Sequence, residues 1–258
     1  MTEGREAVRF IQHEVVDSTN ECAFRAIEAG DARHGDVHLA REQTAGRGRL
    51  GRAWHSPKGE GLYLSAIVMP KPPAPPAPAL TIGAGLAAFD VVTTLGVPAR
   101  LKWPNDVLVG DAKLAGLLVE TRGLDPQRPC YVVGIGMNVG QRSFPSELTD
   151  ERPVTSLRRE GVNAGVEEIA KKIAGALFVH TASFDPASLD RLAESYLGAT
   201  GLRDARVRVV DAGERTLSGR LTALSIPNGL TVRNEQGDDH TLALELVRSV
   251  TLDGPGSS

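Results

Sequence analysis

One short segment constrains the fold of this chain more than any other. Residues 46–52 contain three glycines and three arginines, and they stand between two runs typical of strands, residues 37–42 and 62–69. Glycine permits unusual backbone conformations and close approach to a ligand, and arginine carries a planar fork of donors that matches carboxylate or phosphate oxygens. The segment therefore predicts a structured surface loop that surrounds a bulky anion.

Three common glycine-rich or arginine-rich motifs do not explain this segment. Residues 46–51 match G-x-G-x-x-G, but Pro57 and Gly59 follow where the phosphate-binding helix of a dinucleotide fold must start. No Lys-Ser or Lys-Thr pair follows, which excludes a P-loop. Arginine–glycine tails that bind RNA are long and repetitive, whereas this segment is single, and the net charge of −3 gives no general basic field. We expect no nucleic-acid partner.

The composition is that of a soluble protein. With 258 residues, the chain has room for one large domain or for a medium domain and a small one. Cys22 and Cys130 are far apart, which suits a reducing compartment rather than a disulfide scaffold. The segment Met1–Arg9 is charged and has no apolar core, and no run of about 18 apolar residues is visible. These features predict a cytoplasmic protein without a membrane span.

The hydrophobic pattern predicts alternating helices and strands over the first 200 residues. Ser18 and Glu21 have the spacing of a capping box, followed by a helix that ends at Gly30. The proline-rich stretch 71–78 is interpreted as a loop before a helix. Further strands are predicted at 99–103, 113–120 and 131–139, and further helices at 80–95, 166–182 and 186–198.

The pattern changes after residue 201. Residues 202–252 hold short alternating runs separated by turn signals at 211–213, 227–229 and 236–238. This part is predicted to form a small all-β barrel, so the chain divides into a domain at 1–201 and a second one at 202–258. Residues 254–258 are expected to be a frayed tail.

A second polar segment, residues 102–106, ends in Asn105 and Asp106. Pro104 predicts a turn there, where an acceptor can meet a metal or a ligand hydroxyl. Lys113 opens the next strand, and a lone lysine at such a position is ordinarily solvated. The alternating glycines of residues 133–138 fit either close packing of the backbone or a floor under a flat ligand, and the pattern leaves both open.

Taken together, these segments resemble the motifs of the biotin protein ligases. The resemblance runs from about Val15 to Leu252, and its weight comes from the order and spacing of the motifs. They read Asp17-Ser18-Thr19-Asn20, Gln43-x-x-Gly46-Arg47-Gly48-Arg49-x-Gly51-Arg52-x-Trp54, Lys102-Trp103-Pro104-Asn105-Asp106, Lys113-Leu114-Ala115-Gly116 and Gly134-Ile135-Gly136-Met137-Asn138.

The resemblance implies an α+β fold: a mixed sheet with flanking helices, like that of class II synthetases, and a C-terminal SH3-like barrel. It also implies a two-step reaction that requires Mg²⁺. Biotin and ATP form biotinyl-5′-AMP, which then acylates a lysine of a biotin carboxyl carrier protein domain. Because the Ser-Thr-Asn motif begins at residue 18, we expect the type of ligase without an N-terminal DNA-binding domain, acting as a monomer or homodimer.

The same resemblance implies roles for individual residues. The polar side chains of Ser18, Thr19, Asn20 and Gln43 would hold the biotin rings, and Gly46, Gly48 and Gly116 would complete that pocket. Arg47 and Arg49 would close over carboxylate and phosphate, and Lys113 would bridge the two during adenylation. Trp54 would stack on adenine, Asn138 would lie near ribose or adenine, and Lys102, Asn105 and Asp106 would serve the triphosphate, with Asp106 as the Mg²⁺ ligand.

Two points remain open from the sequence. A lipoate ligase or octanoyltransferase is the nearest alternative, although it would lack the glycine–arginine loop and the paired Lys-Trp-Pro-Asn-Asp motif. The C-terminal family ending, Gly-Glu-hydrophobic-x-Leu-Arg, is matched only loosely by residues 244–248. Glu245 and Arg248 are therefore not assigned to the site.

Overall fold

The computed structural model describes residues 8–123 and 125–253, so the expected tail at 254–258 lies outside the described residues. The strands are β1 (Arg9–Val16), β2 (Asp36–Gln43), β3 (Gly61–Val68), β4 (Ala99–Lys102), β5 (Asp106–Val109), β6 (Ala112–Glu120), β7 (Tyr131–Asn138), β8 (Arg206–Asp211), β9 (Thr216–Ser225), β10 (Gly229–Arg233), β11 (Asp239–Leu242) and β12 (Val247–Leu252). The helices are α1 (Thr19–Ala29), α2 (Ala77–Thr94), α3 (Ser146–Glu151), α4 (Val166–His180) and α5 (Pro186–Thr200).

The first seven strands form one mixed sheet in the order β1-β2-β3-β7-β6-β5-β4. β1 and β2 are parallel, joined through α1, and every other neighbouring pair is antiparallel. The predicted mixed sheet with flanking helices is confirmed.

Helices cover both faces of this sheet. In β3, Leu62, Leu64 and Ala66 belong to the large core that also includes α2, whereas Ile67 packs with Phe24 of α1. Successive side chains of a strand point to opposite faces, so a strand covered on both sides must be apolar throughout. β3 is accordingly buried over its whole length.

Helix α2 contributes eleven buried residues to the protein interior. Its buried Leu80, Ile82 and Leu86 each contribute about 1.5–3 kcal/mol of hydrophobic stabilisation. Among the described residues, α2 is the one helix long and apolar enough to cross a membrane by length and composition, with a mean hydropathy of 1.4. Our expectation of no such run was therefore too strict. The helix packs against α4, α5 and the sheet, and 61% of the window is buried.

The last five strands form an antiparallel sheet in the order β11-β10-β9-β8-β12. Within the described residues, no pairing joins β11 to β12, so the closed SH3-like barrel stays a prediction, as does the division at residues 201 and 202. The two sheets are in direct contact, because Trp103 Nε1 donates to the Val247 carbonyl at 2.8 Å.

The capping box predicted at the start of α1 is wrong. Ser18 occupies the N-cap position with an extended backbone, but its side chain makes no capping bond. Glu21 instead lies 2.6 Å from Arg47 Nη1 and 2.5 Å from Arg122 Nη2. Charged guanidinium donors make stronger hydrogen bonds to a carboxylate than a neutral backbone amide does, and they hold Glu21 away from the cap.

Candidate functional site

A cavity of about 570 Å³ lies between the start of α1, the strands β6 and β7, the glycine–arginine loop and the C-terminal sheet. The structure brings most of the predicted site residues to this cavity, and two of them, Gly46 and Asn138, do not line it. Those that line it are Ser18, Thr19, Asn20, Gln43, Arg47, Gly48, Arg49, Trp54, Lys102, Asn105, Asp106, Lys113 and Gly116.

Neutral polar groups are held in order at one end of the cavity. Gln43 Oε1 accepts from the backbone amide of Thr19 at 2.9 Å, and Gln43 Nε2 donates to Ser56 Oγ at 2.8 Å. The hydroxyl of Ser65, which the motifs did not single out, lies 2.6 Å from Thr19 Oγ1 and 2.5 Å from Asn20 Oδ1. Such a buried network fixes the direction of each donor and acceptor before a ligand arrives.

Three glycines, Gly116, Gly134 and Gly136, form the floor of the cavity. A Cβ on Gly134 would lie 2.5 Å from Asn20 Oδ1, and one on Gly136 would collide with the ring of Trp54. Of the two interpretations of these alternating glycines, the structure supports close approach by neighbouring side chains. A flat ligand on this floor must share the space with Trp54.

Trp54 lies across the floor glycines. Its ring also faces Lys113, whose Nζ is 5.3 Å from the ring centroid. Its indole Nε1 is buried and has no hydrogen-bond partner among the described residues. A buried donor without a partner carries an energetic cost, so this tryptophan has a donor available for a ligand.

Lys113 is buried rather than solvated, which overturns the ordinary interpretation of a lysine at a strand start. Only 7% of the residue is exposed, and Nζ lies 2.5 Å from Asp106 Oδ1. Burial lowers the pKa of Lys113, while the adjacent Asp106 carboxylate acts in the opposite direction. A desolvated ammonium of this kind interacts strongly with an incoming anion.

Asp106 begins β5 instead of lying in the predicted turn, because residues 106–109 pair with both β4 and β6. Its carboxylate has a second cation nearby, with Oδ2 3.7 Å from Arg152 Nη1. Across the described part of the chain, no group of three or more His, Cys, Asp or Glu side chains is placed to hold a metal ion. One carboxylate suits Mg²⁺ only when the ion arrives with phosphate oxygens as further ligands.

The glycine–arginine loop closes on itself as a small hairpin. The Gly48 amide donates to the Arg52 carbonyl at 2.7 Å, and Leu50 at the tip has a φ of 56° and is 78% exposed. Arg47 pairs with Glu21 at 2.6 Å and Glu120 at 3.0 Å, although no acidic residue stands within the loop.

Two of the predicted nucleotide residues have other partners. Arg49 Nη1 lies 3.4 Å from Asn105 Oδ1, and Asn105 Nδ2 donates to the Leu117 carbonyl at 2.8 Å. Asn138 is buried beside the cavity, where its Nδ2 donates to the Thr155 carbonyl at 2.9 Å. Lys102 is exposed at the rim.

The structure adds residues that sequence reasoning missed. Arg152 lines the cavity, and the C-terminal sheet contributes Arg248, which pairs with Glu214 at 2.9 Å. The loosely matched C-terminal motif is the sequence signal for Arg248. No motif marked Arg152.

The fold and cavity define a class: a protein with a mixed sheet and one cavity lined by neutral polar and by basic side chains. A family model described as the biotin/lipoate A/B protein ligase family matches residues 13–138. The biotin–[acetyl-CoA-carboxylase] ligase of Mycobacterium tuberculosis is 35% identical over 208 residues, which cover 78% of this chain and 74% of that protein. The chain belongs to the biotin/lipoate A/B protein ligase family.

Two other similarities differ in coverage. The bifunctional ligase/repressor BirA of Bacillus subtilis is 37% identical over 143 residues, which are 54% of this chain but 44% of BirA, so the match spans less than half of that relative. The solved structure of the biotin protein ligase from Aquifex aeolicus in complex with biotin and ATP has a TM-score of 0.78 and 29% identity. It covers 95% of this chain and 99% of that one.

Proposed function

We propose that this chain is an ATP-dependent ligase that activates biotin as biotinyl-5′-AMP and transfers it to a lysine of a biotin carboxyl carrier protein domain. One observation carries the proposal: a single cavity has neutral, ordered hydrogen-bonding groups at one end and the buried ammonium of Lys113 at the other. Biotin has the matching polarity, with a neutral ureido ring at one end and a carboxylate at the other.

The neutral end would hold the ureido ring. Thr19, Asn20 and Gln43 supply donors and acceptors whose directions are fixed by the network around Ser65, and Ser18 adds a hydroxyl beside them. A buried polar group that finds no partner costs about 1–3 kcal/mol, so this end favours a ligand that satisfies each of these atoms. The aliphatic tail of the ligand then points toward Lys113.

The cationic end would perform the first step. A carboxylate oxygen of biotin attacks the α-phosphorus of ATP, and the bond to the β-phosphate oxygen breaks, so that pyrophosphate leaves. Lys113, Arg47 and Arg49 would offset the negative charge that two converging anions create. In the second step the carrier amine attacks the carbonyl carbon of the anhydride, and AMP leaves.

The remaining polar and aromatic residues of the cavity would bind the nucleotide. Trp54 would stack on adenine with its free indole donor, while Lys102, Asn105 and Asp106 would serve the triphosphate and the Mg²⁺ that it brings. Asn138 would act near ribose or adenine only if its bond to the Thr155 carbonyl opened. The proposal extends to a catalytic domain at 1–201, an SH3-like domain at 202–258, a cytoplasmic location and a monomer or homodimer.

Biotin-dependent exchange of labelled pyrophosphate into ATP tests the function directly. We expect exchange with biotin, and none with lipoate or octanoate in its place. Exchange that depends on lipoate instead would establish the alternative, and an absence of exchange with every acid would overturn adenylation. A purified carrier domain added afterwards should acquire biotin on one lysine.

A further inference from the structure

Arg152 is one of three basic residues of the cavity, with Arg52 and Arg248, to which the proposed roles assign nothing. It follows α3, and its side chain is 36% exposed, with Nη1 3.7 Å from Asp106 Oδ2. Lys113 Nζ lies 2.5 Å from the other oxygen of the same carboxylate. The two cations therefore approach one carboxylate at different atoms, and Lys113 holds it more closely.

The backbone ties Arg152 to Lys113. The Lys113 amide donates to the Pro153 carbonyl at 2.9 Å, and the Thr155 amide donates to the Lys113 carbonyl at 3.0 Å. Proline disfavours a helical residue before it, and Arg152 is extended, with φ −168° and ψ 156°. The backbone next to Arg152 is therefore held by hydrogen bonds to β6, the strand that carries Lys113.

The charges around the cavity leave an excess of positive charge. The acidic side chains that line it are Asp106 and Glu214, and Arg248 pairs with Glu214 at 2.9 Å. The basic side chains that line the cavity are Arg47, Arg49, Arg52, Lys102, Lys113, Arg152 and Arg248.

We propose that Arg152 binds the phosphates of ATP beyond the α-phosphate, and the pyrophosphate that they become. This inference rests on the proposed function, which places the α-phosphate at Lys113. A single carboxylate needs only one of these cations, whereas a polyphosphate needs several, and the planar guanidinium pairs with two phosphate oxygens at once. Arg152 is thus a binding residue for the leaving group.

The test compares Arg152→Ala and Arg152→Lys with Arg158→Ala as the matched control. Arg158 is exposed on the same segment and does not line the cavity. Calorimetry gives the Kd of inorganic pyrophosphate, and initial rates give KM for ATP and for biotin. For Arg152→Ala we expect the pyrophosphate Kd and the KM for ATP to rise about tenfold to hundredfold, with KM for biotin unchanged. Arg152→Lys should recover part of the loss, and Arg158→Ala should match the wild type.

The outcomes separate this inference from the proposed function. If the wild type exchanges pyrophosphate and Arg152→Ala binds pyrophosphate as tightly as Arg158→Ala does, Arg152 merely accompanies Asp106 and the inference is wrong. If the wild type shows no biotin-dependent exchange, the proposed function fails, and the pyrophosphate Kd alone decides whether Arg152 holds polyphosphate. Thermal melting of all three variants verifies that a weaker Kd is not a loss of fold.

Discussion

Glycine serves two regions of the site for different physical reasons. On the floor, Gly134 has an ordinary backbone conformation, and its missing Cβ makes room for Asn20. In the loop, a Cβ on Gly51 would meet nothing within 4 Å, but the backbone has a φ of 74°, which a side chain resists. The floor uses glycine for space and the loop uses it for conformation, so the same residue type predicts rigidity in one place and adaptability in the other.

The two regions also differ in how far they are buried. Lys113 emerges from β6 with 7% exposure, whereas Leu50 at the tip of the loop is 78% exposed. Strands paired on both sides open rarely, while a short exposed hairpin has few buried contacts to oppose opening. We infer that the floor is preformed and that the loop adjusts to the ligand.

The largest effect is expected on the floor, from Lys113→Gln. The lysine's charge contact strengthens as the α-phosphate is attacked, so its loss should lower kcat for pyrophosphate exchange by a factor on the order of 10² to 10³. Lys171→Gln, at an exposed position of α4, is the control. Near-normal exchange in Lys113→Gln would remove this residue from the mechanism.

The next effect distinguishes the two uses of glycine. Gly136→Ala places a methyl group against Trp54, and overpacking of this kind costs about 1–3 kcal/mol of stability. It should also shift the fluorescence of Trp54, because the ring must move. Gly51→Ala should cost about 1–2 kcal/mol for the left-handed backbone and leave the fluorescence unchanged. Equal fluorescence spectra for the two variants would show that the missing Cβ of Gly136 does not make room for Trp54.

Arg49→Gly in the loop should affect retention more than chemistry. If Arg49 helps to seal the mixed anhydride in the cavity, its loss should raise the release of biotinyl-AMP about tenfold, the value of one charged contact. Released anhydride acylates amines without an enzyme, so biotin should appear on serum albumin added to the reaction. Arg128→Gly, whose side chain is 89% exposed, is the control. Labelling confined to the carrier domain would show that Arg49 does not act in this way.

The smallest effect concerns the motion of the loop itself. Amides of residues 45–58 should exchange hydrogen quickly in the free protein and several-fold more slowly with biotin or biotinyl-AMP, because ordering costs about 1–2 kcal/mol per residue and the ligand must supply it. Amides of β6 and β7 should exchange slowly in both states. Equally slow exchange in the loop with and without ligand would abolish the distinction between the two regions.

Long patterned elements were predictable, and short ones were not. The helices α2, α4 and α5 were predicted within a few residues, because many apolar positions repeat there. The four residues of β5 and the six of α3 are too few to show a period. β12 follows a 3-10 turn that contains Leu244 and Leu246, and these apolar residues make the end of one strand and the start of the next difficult to locate in the sequence.

The residues of the candidate site were predictable where they belong to a motif. The partners that hold their side chains were not, because those partners are distant in sequence. Glu21 and Glu120 lie 26 and 73 positions from Arg47, so nothing local indicates that they pair with it. Asn138 belongs to a motif, but its side chain is held by Thr155, a contact that depends on the path of a later loop.

The ion pairs of Arg47 have a consequence for affinity. The guanidinium already has two carboxylate partners, Glu21 and Glu120, before any ligand is present. A ligand carboxylate that binds there replaces one counter-ion with another, in the manner of an ion exchanger. The gain in free energy is then the difference between two similar contacts, and the contribution of Arg47 to affinity should vary little with ionic strength. Binding isotherms at two salt concentrations, for the wild type and for Glu21→Gln, measure that exchange.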